Sequence, residues 1–321
     1  MKNFTRRMAL FLWIVCLMPL EVLAASSLIP VGQVVGLELR QDCVTVAAFD
    51  PQLGAEAQAA GLQTGDEILS INGNDIDSAK DVQQALERSD GVVRLQIRRQ
   101  EQEKTLTLHP KITSDGPKLG IYLRQGITGI GTVTWYDPET GQFGALGHGV
   151  SQADGAPVDM REGYIYDARV ISVRKGKTGK PGQLFGALSD PNPIGTLRKN
   201  CSQGVFGSCG AGFQGQALPV AASNQIRTGN ASILSSVDEN GPREYSVEIL
   251  KIYPSSADGR NLLLKITDPA LLAATGGIVQ GMSGSPIIQG GKLVGAVTHV
   301  LVNDPQTGYG IFIENMLEAA G

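Results

Sequence analysis

Two glycine-rich turns carry the residues in this chain best suited to chemistry. One is GMSGSP, residues 281–286, with Ser283 flanked by Gly281 and Gly284; the other is GALGHG, residues 144–149, with His148 between Gly147 and Gly149. A serine attacks a carbonyl only if a base takes its proton, and the tetrahedral oxyanion that forms needs donors held ready for it. Glycines let the backbone turn tightly enough to aim main-chain N–H groups beside the serine, so the amides of Gly281 and Ser283 are the candidate oxyanion hole. Of the three histidines, His109 stands at a strand end, His299 lies on the apolar strand LVGAVTHVLV, and His148 sits on a rigid turn where an imidazole can be presented. The residues alone favour His148 as base, with His299 packed or hydrogen-bonded inside a barrel. Ser285 is a second candidate nucleophile, but it follows the Gly-x-Ser-Gly core and is expected to hydrogen-bond the turn.

Other chemistries find less support. The histidines are far apart and no cysteine pair has zinc-ligand spacing, so no metal or cofactor is expected. RKGKTGKPG, residues 174–182, lacks the leading glycine of a phosphate loop and reads as a basic surface loop. A net charge of −4 argues against nucleic acid as a partner.

The elements that must hold these turns are mostly short strands. Forty-one glycines and only 5% aromatic residues in 321 favour tight turns over long helices, and the length suggests two domains. Residues 1–25 read as a signal peptide or N-terminal anchor: MKNFTRR is basic, MALFLWIVCLMPL is apolar, and Val22 and Ala24 are small residues before a cleavage point. The apolar run is shorter than the roughly 20 residues that span a bilayer, which favours cleavage and export. Of the four cysteines Cys16 leaves with that segment and Cys43, Cys201 and Cys209 remain; Cys201 and Cys209 either close a short loop or stay free.

Residues 30–112 alternate as a small sheet with one helix. Val93, Leu95 and Ile97 alternate with polar residues, and Val82, Ala85 and Leu86 have helical spacing. Residues 113–321 alternate short apolar runs with Gly, Asp and Pro turns, long enough for a double β-barrel.

The first unit resembles a PDZ domain of the bacterial, circularly permuted kind, through Ala60-Gly61-Leu62, Gly65-Asp66-Glu67-Ile68-Leu69 and Ile71-Asn72-Gly73. That resemblance implies a groove for a peptide or C-terminus, bound as an added strand. PVGQVVGLEL is expected to supply the carboxylate turn through Gly36, Leu37, Glu38 and Leu39, facing a helix whose Val82 and Leu86 serve groove or core.

The second unit is similar to the stage IV sporulation protein B serine peptidase family, through GIGTVTWYDPETGQFGALGHG, DPNPIGTL and the long run from Thr267 to Leu317. The expected fold class is mainly β: a small α/β PDZ domain followed by a trypsin-like double β-barrel. By this similarity His148 is the base, Ser283 the nucleophile and Asp268, in KITDP, the residue orienting the imidazole. Asp268 is only 15 residues before Ser283, and Asp159 and Asp304 compete for the role.

The resemblance further implies self-cleavage and a sporulation regulatory membrane protein as substrate, between mother cell and forespore. Its cleavage there triggers intramembrane processing of pro-sigma-K. Trypsin-type enzymes carry Asp just before the nucleophile, to pair with a newly freed N-terminus. Met282 stands there instead, so the PDZ unit is expected to govern activity. The alternatives are a quality-control protease of the high-temperature-requirement type, which puts its PDZ after the protease, and a non-catalytic PDZ adaptor.

Overall fold

The structure, a computed structural model, describes residues 27–152, 155, 157–210, 212–256 and 258–321. The expected leader, residues 1–25, lies outside the described residues. Among the described residues no helix is long and apolar enough to cross a membrane.

The described chain opens with β1 (Ser27–Pro30) and the sixteen-residue β2 (Val34–Phe49). It continues through α1 (Ala55–Ala59), β3 (Glu67–Ile71), β4 (Asn74–Asp75), α2 (Ala79–Glu87), β5 (Val93–Arg99) and β6 (Gln102–Leu108). A hairpin, β7 (Lys111–Thr113) and β8 (Gly116–Lys118), leads into the equally long β9 (Ile121–Tyr136). Then come β10 (Gln142–Ala145), β11 (Glu162–Arg174), β12 (Gln183–Cys201), β13 (Gly204–Cys209) and β14 (Leu218–Pro219). The last part holds β15 (Gly229–Ser236), β16 (Pro242–Ile252), β17 (Leu262–Ile266), α3 (Pro269–Thr275), β18 (Pro286–Gln289), β19 (Lys292–Leu301), β20 (Asp304–Phe312) and α4 (Ile313–Ala320).

Two six-stranded barrels result. In the first, β9, β10, β13, β12, β11 and β2 pair in that order, and β9 pairs back to β2 to close the ring. Its core holds Val35, Leu37, Leu39, Phe143, Ile165 and Val205. In the second, β15, β16, β17, β20, β19 and β18 close around Ile233, Ile249, Leu264 and Ile287. Closure leaves no open sheet edge in either barrel wall. The mainly β fold and the trypsin-like pair of barrels expected from sequence are what the chain forms.

The PDZ fold is present, but its boundaries differ from 30–112. Strand β2 pairs with β9 from Val34 to Arg40 inside the barrel, breaks register, then pairs again from Thr45 to Phe49 inside the PDZ core. On β9 the matching bend is at Gly126, φ +143°, where a Cβ would meet the Leu39 carbonyl oxygen at 2.0 Å. Val44, Val46, Ile68, Leu86, Leu95 and Leu119 share the PDZ core. The PDZ unit is therefore an insertion between the barrel halves of two continuous strands.

Its sequence motifs have local causes. Asn72 and Gly73, both with positive φ, make the two-residue turn joining β3 to β4. Asp66, 1% exposed, is satisfied by two hydrogen bonds of 2.6 Å from Arg99 and one of 2.8 Å from the Gln63 amide. Helix α2 is capped by Ser78, whose hydroxyl oxygen accepts from the Asp81 amide.

Among the described residues the three cysteines, Cys43, Cys201 and Cys209, are free. Cys201 pairs with Gly204 at one end of β13 and Cys209 with Gly195 at the other. Five residue steps of strand, about 17 Å, separate those ends, too far for a disulfide. Of the two readings open for this pair, the free thiols hold.

Candidate active site

Ser283 and His148 come from different barrels and line one cleft of about 710 Å³. The serine turn precedes β18 and the histidine turn follows β10. Both turns are tight because small residues and positive φ are required there. Leu146 has φ +68°, a strain of about 1–3 kcal/mol for a residue with a Cβ, and Gly147 follows at +69°. A Cβ on Gly147 would meet Thr298 at 2.9 Å and Ile311 at 3.0 Å, so the histidine turn rests on the second barrel. Gly284, φ +97°, approaches the first barrel as closely: a Cβ there would lie 2.0 Å from the Thr132 carbonyl oxygen.

Nδ1 of His148 stands 2.9 Å from the Gly149 carbonyl oxygen. A carbonyl can only accept, so Nδ1 carries the proton and Nε2 keeps its lone pair. Burial lowers the pKa of His148 from its ordinary 6.5, partly offset by that hydrogen bond, and the ring is neutral at neutral pH. The Ser283 hydroxyl donates to the Thr298 carbonyl at 2.7 Å. Beyond its pairing with β18, the Thr298 stretch of β19 faces the cleft.

The two amides expected to serve as oxyanion donors lie on the serine turn. The amides of Gly281 and Ser283 have no hydrogen-bond partner among the described residues. The Gln280 carbonyl is held by the Leu184 amide at 2.8 Å, which aims the Gly281 N–H of the same peptide plane the opposite way.

The cleft does not hold Asp268. Asp268 is the N-cap of α3, with Pro269 in the first turn. Its Oδ1 accepts from the amides of Ala270 (2.9 Å) and Leu271 (3.0 Å), and its Oδ2 from Ser246 (3.4 Å). The orienting role implied by resemblance is thus not met by a contact to His148, because the carboxylate is committed to a helix end. Asp159 is exposed, Asp304 accepts from Thr307, and neither lines the cleft. Ser285 is buried and donates to Ser235 across the second barrel. His109 lies on the surface, 3.4 Å from Glu56.

His299 is partly buried, as expected of a barrel residue, yet it lines the cleft beside His148 with ring centroids 5.1 Å apart. Its Nδ1 is buried with no partner among the described residues. Asp258, which sequence reasoning missed, lines the same cleft. It lies in SSADGR, a polar loop with no motif to mark it.

The carboxylate turn also falls elsewhere. Gly36, Leu37, Glu38 and Leu39 are paired on both sides, with Tyr166, Ile165, Tyr164 and Gly163 of β11 and with residues 127–130 of β9. No edge is left for a peptide, and Leu37 and Leu39 instead line the cleft that holds Ser283 and His148. The groove of the PDZ unit, about 450 Å³, runs between α2 and the start of β9. Val82 and Leu86 line it and also belong to the core, facing Leu119, Ile121 and Leu123. Gly120, φ +68°, makes the turn before that strand; a Cβ there would strike the Leu53 backbone at 2.3 Å. The run Leu119-Gly120-Ile121-Tyr122-Leu123, a glycine before an alternating strand, was the signal for it.

The model of the SpoIVB peptidase S55 family matches residues 115–317, more than half of the chain. The chain belongs to the SpoIVB peptidase S55 family. A PDZ domain model matches residues 52–99. No curated protein matches the chain. Among solved structures, it is similar to the PDZ domain of an SdrC-like protein from Listeria monocytogenes, at 23% identity over 26% of this chain and 88% of that one, TM-score 0.22. It is also similar to the Rv3671c protease of M. tuberculosis in its active form, at 14% identity over 61% and 75%, TM-score 0.36. The HtrA-type protease AlgW with a decapeptide aligns at 12% identity over 65% and 57%, TM-score 0.37. This S55 peptidase is a serine endopeptidase with a PDZ domain, acting on protein or peptide substrates.

Proposed function

We propose that this S55 peptidase is exported and acts in sporulation signalling, in the space between mother cell and forespore. It cleaves a regulatory membrane protein there and so triggers intramembrane processing of pro-sigma-K. It also cleaves itself, and its PDZ groove engages a peptide or C-terminus that governs activity. Family membership supports the pathway.

One observation carries the chemistry: Ser283 and an Nδ1-protonated His148, from separate barrels, line one apolar cleft. In the reaction the Ser283 hydroxyl leaves the Thr298 carbonyl and gives its proton to His148 Nε2 as Oγ bonds the scissile carbon. The amides of Gly281 and Ser283 receive the negative oxygen. The same proton then passes to the leaving amine as the C–N bond breaks, and water repeats the sequence to release the acyl group. Leu37, Leu39, Leu146, Ile278, Val279 and Val300 line the cleft, which suits substrates with apolar side chains near the cut.

The test compares wild type with Ser283→Ala for labelling by a fluorophosphonate and for cleavage of the sporulation regulatory protein in membranes. Wild type labels and cleaves; the variant does neither. A labelled alanine variant moves the nucleophile elsewhere, while labelling without cleavage of that protein retains the enzyme and removes the pathway.

A further inference from the structure

The serine and histidine turns belong to different barrels, so something must fix one against the other. The contact is concentrated on one residue of β9. Thr132 is fully buried, yet each of its hydrogen-bonding groups has a partner in one of the two turns. Its amide donates to the Ser283 carbonyl at 3.1 Å, and its hydroxyl donates to the Gly281 carbonyl at 2.7 Å. Its own carbonyl accepts from the Leu146 amide at 3.1 Å, two residues before His148.

We propose that Thr132 is the positioning residue that sets the Ser283 turn, with its oxyanion donors, against the His148 turn; this rests on Ser283 being the nucleophile. Gly281, at φ +99°, has the freedom to turn its peptide planes. Two hydrogen bonds from the first barrel remove that freedom. The Leu184 amide holds the plane before Gly281, and the Thr132 hydroxyl holds the carbonyl of the plane after it, whose Met282 N–H donates to the Val279 carbonyl at 3.1 Å. Only the second uses a side chain, so it alone can be deleted without touching the backbone. Thr132 touches no substrate, and its loss acts through the geometry of the turn that carries the donors. Without that hydroxyl the Gly281 carbonyl is a buried acceptor left unsatisfied, which penalises the turn in its present geometry.

Valine matches threonine in shape and lacks the hydroxyl; serine keeps the hydroxyl and lacks the methyl. The probe is a fluorophosphonate, whose phosphoryl oxygen occupies the oxyanion site as serine attacks. Thr132→Val is expected to lower the maximal labelling rate at least tenfold, with the concentration for half-maximal rate changed less than twofold. Thr132→Ser restores the rate to within threefold of wild type. Wild-type rates in folded Thr132→Val, or a folded Thr132→Ser as slow as the valine variant, overturn the proposal. If valine prevents folding, judged by circular dichroism, Thr132→Cys is read in its place against the same limits, since a thiol donates only weakly. Labelling that persists in Ser283→Ala removes the nucleophile assignment, and this proposal with it; slow labelling confined to the Thr132 variants separates the two.

Discussion

The imidazole rings of His148 and His299 lie 5.1 Å apart, tilted by 40°, one from each barrel. Two protonated rings at that distance repel, and both are shielded from water. The pair is therefore most comfortable neutral, which is the state a general base needs.

From this follows the pH dependence of the reaction. Burial holds the pKa of His148 below its ordinary 6.5, so the ring stays neutral further into acid than a free imidazole. The rate of fluorophosphonate labelling should be flat around neutral pH and fall only below 6.5, as Nε2 takes a proton. A labelling profile with its midpoint at or above 6.5 counts against His148 as the base.

The same pair makes stability fall in acid. Burial first, and the neighbouring His148 second, push the pKa of His299 down to about 4. The unfolded chain takes up that proton near 6.5, so between 6.5 and about 4 it binds more protons than the folded chain. His299 thus favours folding fully above pH 6.5, and this contribution is lost as pH falls toward 4. In a Ser283→Ala background, which lacks the proposed nucleophile, urea unfolding should show stability dropping over that window. His299→Asn, which cannot titrate, should flatten the drop; an unchanged slope sinks the assignment.

Asp268 gives a test that separates capping from catalysis. Replacing an N-cap aspartate by alanine costs about 1 kcal/mol, whereas asparagine caps equally well. Asp268→Ala should lower the urea midpoint, and Asp268→Asn should keep both the midpoint and, within tenfold, the labelling rate. A triad carboxylate behaves differently: its amide loses about 10⁴ in rate with folding intact. A stable asparagine variant with that loss would mean the carboxylate reaches His148 in a conformation unlike this one.

What the sequence makes legible, and what it hides, follows from how local each signal is. The turns at Ser283 and His148 announce themselves because their glycines are needed within two residues of the reacting group. The PDZ motifs are equally local: Gly65 and Asp66, or Asn72 and Gly73, act on their neighbours. Asp268 misleads because KITDP reads the same whether its carboxylate caps the helix after Pro269 or reaches a distant ring. Gly36 to Leu39 mislead for another reason. A strand alternating Val-Gly-Leu-Glu-Leu shows that one face is buried, but not against what, and their partners on β11 are more than 120 residues away. Thr132 carries no signal at all, since its meaning lies in three contacts to distant segments.

The shared strands decide where the molecule can be cut. Residues 34–40 of β2 and 126–136 of β9 belong to the first barrel, while 44–49 and 121–124 of the same strands belong to the PDZ unit. Deleting 30–112 therefore removes a barrel strand along with the PDZ unit, exposing β11 and β9 as open edges and taking Leu37 and Leu39 out of both core and cleft. That chain should be insoluble or unfolded and should not label. Replacing 44–123 by a short glycine-rich turn cuts at the register break after Arg40 and before Gly126, where the two strands already lie side by side. This shorter chain should fold, shown by a cooperative urea transition, and should label with a fluorophosphonate. If the 30–112 deletion is folded and reactive, the insertion described for β2 and β9 is wrong.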